Sequence, residues 1–273
     1  MPRRRRDAGR ALLAAVLVLG LAGCGTLSVD QEKQLGAEMA ADARRELDFV
    51  REPVVVHYIE EIGRSLVHAA GPTPYKFHFY VVDDNELNAF AGPAGYVYIQ
   101  TGIILNAANV SELAGVMAHE VGHVELRHIA KNYNKQKGAG VLYSLGSLAA
   151  AIFVPGPVAA GSQMLGKLAA MGVLNTFSRE AESEADAFAV KVMPAAGYDP
   201  HGLTTFFQTL LKEGGPHAPA FLSSHPATED RIAATGKLIQ EANLPEGLRV
   251  SDGGKLEIIQ RRIRLLTGRA SSR

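Results

Sequence analysis

Five residues, His119-Glu120-Val121-Gly122-His123, constrain this chain more than any other stretch. They fall inside a run that reads as one long helix, opened by Ser111-Glu112 and reaching about Tyr133. In a helix, positions four apart differ by about 40° around the axis and about 6 Å along it. Both imidazoles therefore leave one face and can reach a single metal ion. Imidazole nitrogen suits zinc. Glu120 stands beside them, placed to take a proton from a water that the ion acidifies. Met117-Ala118 before and Val121-Gly122 within the motif make this an apolar, buried face. Two histidines and a glutamate buried there need polar partners.

A catalytic zinc needs a third protein ligand and an open fourth position. The candidate segment begins 55 residues beyond His123, where Ser178-Arg179-Glu180-Ala181-Glu182-Ser183-Glu184-Ala185-Asp186 forms an acidic helix. Glu182 and Asp186 share one face, and Glu180 and Glu184 share another. One reading puts Glu182 on the metal and Asp186 behind it, hydrogen-bonded to a ligand histidine. Glu180 and Glu184 read as a solvated acidic face. His128 is nine residues after His119, so on a continuous helix it points to the opposite side and reads as structural.

These segments resemble the zinc metallopeptidase family 48. The likeness rests on Glu120 with its two histidines, on Ser178-Arg179, and on Glu182-Ser183-Glu184-Ala185-Asp186. Glu112 to Val116 lead into the metal helix, and Val124 to His128 follow it, as in that family. The resemblance covers about residues 30–245. It implies a zincin-like metallopeptidase fold of the α+β class, mostly helical, with a small antiparallel sheet packed on the metal helix. It implies one zinc ion per chain, bound by His119, His123 and Glu182, with Glu120 as the catalytic base. Asn88-Ala89-Phe90-Ala91 resembles the edge strand that lines the family's substrate cleft. Ser223-Ser224-His225-Pro226, with Arg231 six residues after the histidine, matches a His-Pro and downstream Arg that lie near the metal. Two roles for His225 follow from the resemblance: a donor to the oxyanion, or a fourth zinc ligand that keeps the enzyme latent. Arg231 can hold a ligand carboxylate such as Glu182 through a paired hydrogen bond.

The first ten residues carry Arg3, Arg4, Arg5, Arg6 and Arg10 against a single Asp7, and Ala11 to Gly23 is apolar and uncharged. This is the pattern of a secretory signal. It ends in Leu21-Ala22-Gly23-Cys24, which resembles the bacterial lipobox, and Cys24 is the only cysteine. The expected organisation is a signal at 1–23, a lipidated tether at 24–30, a peptidase domain at 31–250 and a C-terminal helix and tail at 251–273. Gly25 after the cysteine favours the outer membrane, lipid-anchored, with the body facing the periplasm. Basic and acidic residues balance at 28 each, so there is no global basic surface and nucleic acid is not an expected partner.

Helices are further predicted at about 30–47, 53–70, 176–192, 227–242 and 255–266, with another started by Asp199-Pro200, and strands at 77–82 and 96–100. The stretch 138–174 is apolar, broken by Pro155-Gly156-Pro157, and reads as core, flap or membrane contact. By resemblance, the substrates are unfolded or misassembled envelope proteins, with contact to the outer-membrane assembly machinery as a further expectation. The reading from another class is a latent or chaperone-like binding module with a His-closed zinc site.

Overall fold

The computed structural model describes residues 27–138, 177–213, 220–226 and 228–268. Two helices come first, α1 (Val29–Glu46) and α2 (Pro53–Ala70). Ser28 opens α1 with a reciprocal cap, its hydroxyl accepting from the Gln31 backbone while the Gln31 side chain accepts from Ser28 N–H. Pro53 sits at the start of α2, where its missing N–H costs nothing. The apolar positions of α2 fall on one stripe, so Val55, Tyr58, Ile59, Ile62 and Leu66 are all buried.

Three strands follow: β1 (His78–Val82), β2 (Ala89–Gly92) and β3 (Tyr96–Gln100), in the spatial order β1-β3-β2. The sheet is mixed rather than wholly antiparallel. β2 turns back onto β3 as an antiparallel pair through Pro93–Gly95, with Ala89 opposite Ile99. β3 then lies beside β1 in parallel, with His78 opposite Tyr96 and Val82 opposite Gln100. The hairpin places β3 in the middle, so the longer β1-to-β3 connection fixes the parallel pairing. β2 is left at an edge.

A short helix α3 (Thr101–Asn106) leads into α4 (Val110–Glu125), and α5 (His128–Gly138) follows after a break. Beyond the undescribed stretch come α6 (Arg179–Ala195), α7 (His201–Glu213), α8 (Ala220–Ser224), α9 (Glu229–Glu241) and α10 (Lys255–Thr267). α3 and α8 are too short to show a helical period in sequence. The helix predicted to begin at Pro200 behind an Asp199 cap begins one residue later, at His201, with Asp199 Oδ1 accepting from the His201 backbone.

α4 is the axis of the molecule. Every residue from Val110 to Val124 is buried. α6, α7, α2, β2 and β3 all pack against it. The main core joins Ile59, Leu66, Ile99, Leu113, Met117, Met193, Phe206 and Phe221. Leu256, Ile259 and Ile263 of α10 belong to that same core, so this helix is an integral part of the fold rather than an appendage. No helix among the described residues is long and apolar enough to cross a membrane. Cys24 and positions 139–174 lie outside the described residues.

The α4–α7 contact depends on glycine. A Cβ on Gly202 would stand 2.2 Å from Ser111 Oγ and 2.3 Å from its backbone carbon, and one on Gly115 would stand 2.8 Å from Leu203 Cα. Backbone atoms cannot yield as a side chain can. Gly202→Ala is expected to destabilise the fold by about 2–3 kcal/mol through overpacking, read as a lower denaturant midpoint at unchanged slope.

Candidate active site

α4 carries His119, Glu120 and His123, all without solvent exposure. Its N-cap is Asn109, whose side chain accepts from Glu112 N–H at 3.0 Å. α6 begins at Ser178, whose hydroxyl accepts from Ala181 N–H, and sets Glu182 and Asp186 one turn apart toward α4. His225 directly follows α8, and its N–H donates to Phe221 O at 2.8 Å. α9 starts at its cap Thr228 and brings Arg231 inward.

These elements bring four donor residues together. His119 Nε2 lies 3.0 Å from His123 Nε2 and 3.3 Å from His225 Nδ1. Glu182 Oε1 lies 3.0 Å from His225 Nδ1 and 3.5 Å from His123 Nε2. One ligand atom from each of His119, His123, Glu182 and His225 lies within 4.8 Å of the others. His119 Nδ1 is 3.0 Å from Asp186 Oδ1, a hydrogen bond that seats a ring proton on Nδ1 and turns Nε2 toward the cluster.

Charge and lone pairs are both out of balance. Glu120, Glu182 and Asp186 are buried carboxylates, and Arg231 is the permanent cation among them. Lone pairs that converge in a dry site repel unless something positive lies between them. One divalent cation would offset both, and a set of imidazoles with a carboxylate suits zinc. The residues present therefore fit such an ion.

The electrostatics carry the same sign. Burial works against a charge on His119, yet hydrogen bonds to Asp186 and Glu182 outweigh it and raise the pKa to about 9. Burial holds His123 well below the usual imidazole range, with His119 and His225 adding to the effect. Burial also pushes Glu120 up. It would raise Asp186 as well, but hydrogen bonds from Arg231 and His119 leave that carboxyl below its ordinary value. Neither oxygen of Glu120 has a hydrogen-bond partner among the described residues. Its Oε1 lies 3.4 Å from His225 Nε2.

Arg231 differs from expectation in which carboxylate it grips. The paired bond goes to Asp186, with Nε 2.5 Å from Oδ2 and Nη2 2.7 Å from Oδ1. Glu182 receives only Nη1, 2.6 Å from Oε2. The two carboxylates sit a turn apart on α6. The parallel edge of the guanidinium therefore fits one of them, leaving its third nitrogen to the other. Glu182 Oε1 thus stays turned toward the histidines.

Asn88, Ala89 and Phe90 fall where the edge strand was expected. Ala89 is fully buried, and the Phe90 ring stacks on Tyr98 at 4.8 Å. Asn88 O accepts from Gln100 N–H at 3.2 Å, and Leu87 O accepts from Phe221 N–H at 3.0 Å. The last bond ties the sheet edge to the helix that precedes His225.

The helix expected to run through to Tyr133 breaks at Leu126-Arg127, where Arg127 has φ 58°. His128 therefore does not face away from the site. Its Nδ1 is 3.0 Å from His123 Nδ1, and its Nε2 is 2.9 Å from Glu184 Oε2. Sequence reasoning missed both partners, because neither glycine nor proline marks the break.

The sequence profile described as Peptidase family M48 matches residues 54–239. The chain belongs to this family. The matched segment holds His119, His123, Glu182, His225 and Arg231, so the cluster is the polar centre of an M48 domain. The beta-barrel assembly-enhancing protease of Escherichia coli K12 is 32% identical over 220 residues, covering 79% of this chain and 45% of that protein. The mitochondrial metalloendopeptidase OMA1 of Arabidopsis thaliana is 32% identical over 166 residues, covering 61% of this chain and 31% of that protein. The metalloprotease YcaL of Escherichia coli K12 is 29% identical over 175 residues, covering 63% of this chain and 65% of that protein. The chain thus spans less than half the length of the first of these.

Within the M48 centre, Arg231 joins three elements by holding Asp186, Glu182 and the Pro226 carbonyl. Arg231→Ala would leave two buried carboxylates without their cation. Such a break costs about 3–5 kcal/mol, measured by denaturant unfolding of the metal-free protein. Arg231→Lys should recover only part of this, because an ammonium cannot supply the paired bond.

Proposed function

We propose that this chain is a zinc-dependent endopeptidase of the bacterial cell envelope, hydrolysing unfolded or misassembled proteins. The observation that carries the reading is the pairing of a buried donor set, His119, His123 and Glu182, with an adjacent Glu120 carboxylate that no hydrogen bond among the described residues employs. A glutamate with a structural duty would be tied to a neighbour. When bound, zinc supplies a positive charge that acidifies water and polarises a carbonyl.

The protein's own groups do the rest. His119 and His123 turn their Nε2 lone pairs into the centre, and Glu182 offers Oε1 beside them. Glu120, whose carboxylate burial makes more basic, takes a proton from the attacking water and delivers it to the leaving amine. Asp186 holds the His119 ring, and Arg231 holds Asp186. An extended peptide pairs with the edge of β2, near Asn88, Ala89 and Phe90, through backbone hydrogen bonds that demand little of its sequence.

Two observations support the envelope and its substrates. The lipobox-like ending at Cys24, behind an arginine-rich apolar leader, suits a lipid anchor. The E. coli relative's name joins a protease to β-barrel assembly. The reading is an outer-membrane lipoprotein facing the periplasm, with a signal at 1–23, a tether from Cys24, and a peptidase domain over 31–250 completed by the C-terminal helix. Contact with the outer-membrane assembly machinery belongs to the same proposal.

A latent form is favoured by one distance. His225 Nδ1 stands 3.0 Å from Glu182 Oε1 and 3.3 Å from His119 Nε2, within the donor cluster rather than beside it. There it would hold a bound ion alongside His119, His123 and Glu182 and close the site.

Glu120→Gln is expected to keep one zinc per chain while lowering casein cleavage by at least about 100-fold, checked by metal analysis and a gel-based assay on the same preparation. His225→Ala should raise the cleavage rate by opening the fourth position. A lower rate in that variant would assign His225 to the oxyanion instead.

A further inference from the structure

The turn after α4 returns a histidine to the site. Leu126 N–H donates to Gly122 O and Arg127 N–H to Val124 O, both at 2.9 Å, which ends α4. Arg127 then adopts φ 58°, a left-handed conformation that costs a non-glycine residue on the order of 1 kcal/mol or more. Its side chain holds that turn in place. Nε and Nη2 of Arg127 donate to Glu32 Oε1 of α1 at 2.9 and 2.7 Å, and Tyr75 donates to Glu32 Oε2. α5 restarts at His128 in a new direction, and His128 meets His123 from behind.

The hydrogen positions follow from what each end faces. His123 Nε2 points into the donor cluster, 3.0 Å from His119 Nε2, so it must present a lone pair there. The ring proton then sits on Nδ1 and is donated to His128 Nδ1 at 3.0 Å. His128 consequently carries its own proton on Nε2, and donates it to Glu184 Oε2 at 2.9 Å. With an ion between the Nε2 atoms, this assignment satisfies the contacts from His123 through His128, and the chain ends on a carboxylate. Phe177 stacks on the His123 ring at 3.9 Å and fixes its plane.

We propose that His128 and Glu184 are positioning residues that hold His123 as its Nδ1–H tautomer, with Nε2 aimed at the metal. This rests on the zinc reading above. The two histidines of α4 are thus held differently. His119 is gripped directly by Asp186, a buried carboxylate. His123 is held through a neutral imidazole whose carboxylate partner is about half exposed. Solvent screening makes Glu184 the weaker link of the pair.

The test is zinc affinity of the full-length chain, measured by competition with a chromogenic chelator. His128→Leu removes the acceptor and is expected to weaken zinc binding by about 10–100-fold. His128→Asn places its amide oxygen where Nδ1 stood, and should recover most of that loss. Glu184→Ala, at an exposed position where folding is not at stake, should weaken binding by a smaller factor and decides the matter if the His128 variants fail to fold. Wild-type affinity in folded His128→Leu, or equal losses in the Asn and Leu variants, would overturn the positioning role. So would an unchanged affinity in Glu184→Ala, should the His128 variants be unfolded. These results are distinct from failure of the zinc reading, in which the wild-type chain itself binds no zinc.

Discussion

Negative charge without solvent is the constraint around which this molecule is arranged. Glu120, Glu182 and Asp186 meet in the interior with Arg231 as their permanent cation. Buried carboxylates are expensive unless they are paired. Asp186 is fully paired, through the guanidinium and His119, and its carboxyl is accordingly held below its usual range. Glu182 is half committed, and Glu120 makes no hydrogen bond among the described residues. The surplus in the interior is of negative charge, which a divalent ion would offset. Stability and chemistry are joined here, because the residues left unsatisfied by folding are those a metallopeptidase uses.

The packing of small residues makes that convergence reachable. A Cβ on Gly122 would stand 3.0 Å from the Phe188 ring and 3.4 Å from Ala185 Cα, so α4 and α6 lie close together beside His123 and Asp186. That approach lets Glu182, with its short reach, come within 3.5 Å of both ligand imidazoles. Gly115 and Gly202 allow the same on the α7 side. Phe207 of α7 then lies under the Arg231 guanidinium at 4.6 Å, adding a cation–π contact to the ion pairs.

Local pattern and long-range geometry were legible to different degrees. The four-residue spacing of His119 and His123 lies within one helix, so periodicity alone put them on one face. Family likeness, not spacing, pointed to Glu182. The preference of Arg231 for Asp186 depends on how α9 meets α6, and no local signal carries that. The parallel pairing of β1 with β3 was hidden for the same reason, since strand order is set by partners distant in sequence. His128 is the clearest case. The rule that misplaced it, nine residues along an unbroken helix, is sound. Here Arg127 bends the chain without glycine or proline, and the force that stabilises the bend comes from Glu32, almost a hundred residues earlier.

The central claim is that a metal ion completes the charge balance among His119, His123, Glu182 and His225. X-ray absorption at the zinc edge of the purified chain addresses it most directly. The account predicts one zinc per chain in a shell of nitrogen and oxygen with strong imidazole scattering and no sulfur. A folded protein without zinc, or a zinc shell lacking imidazole, would contradict it.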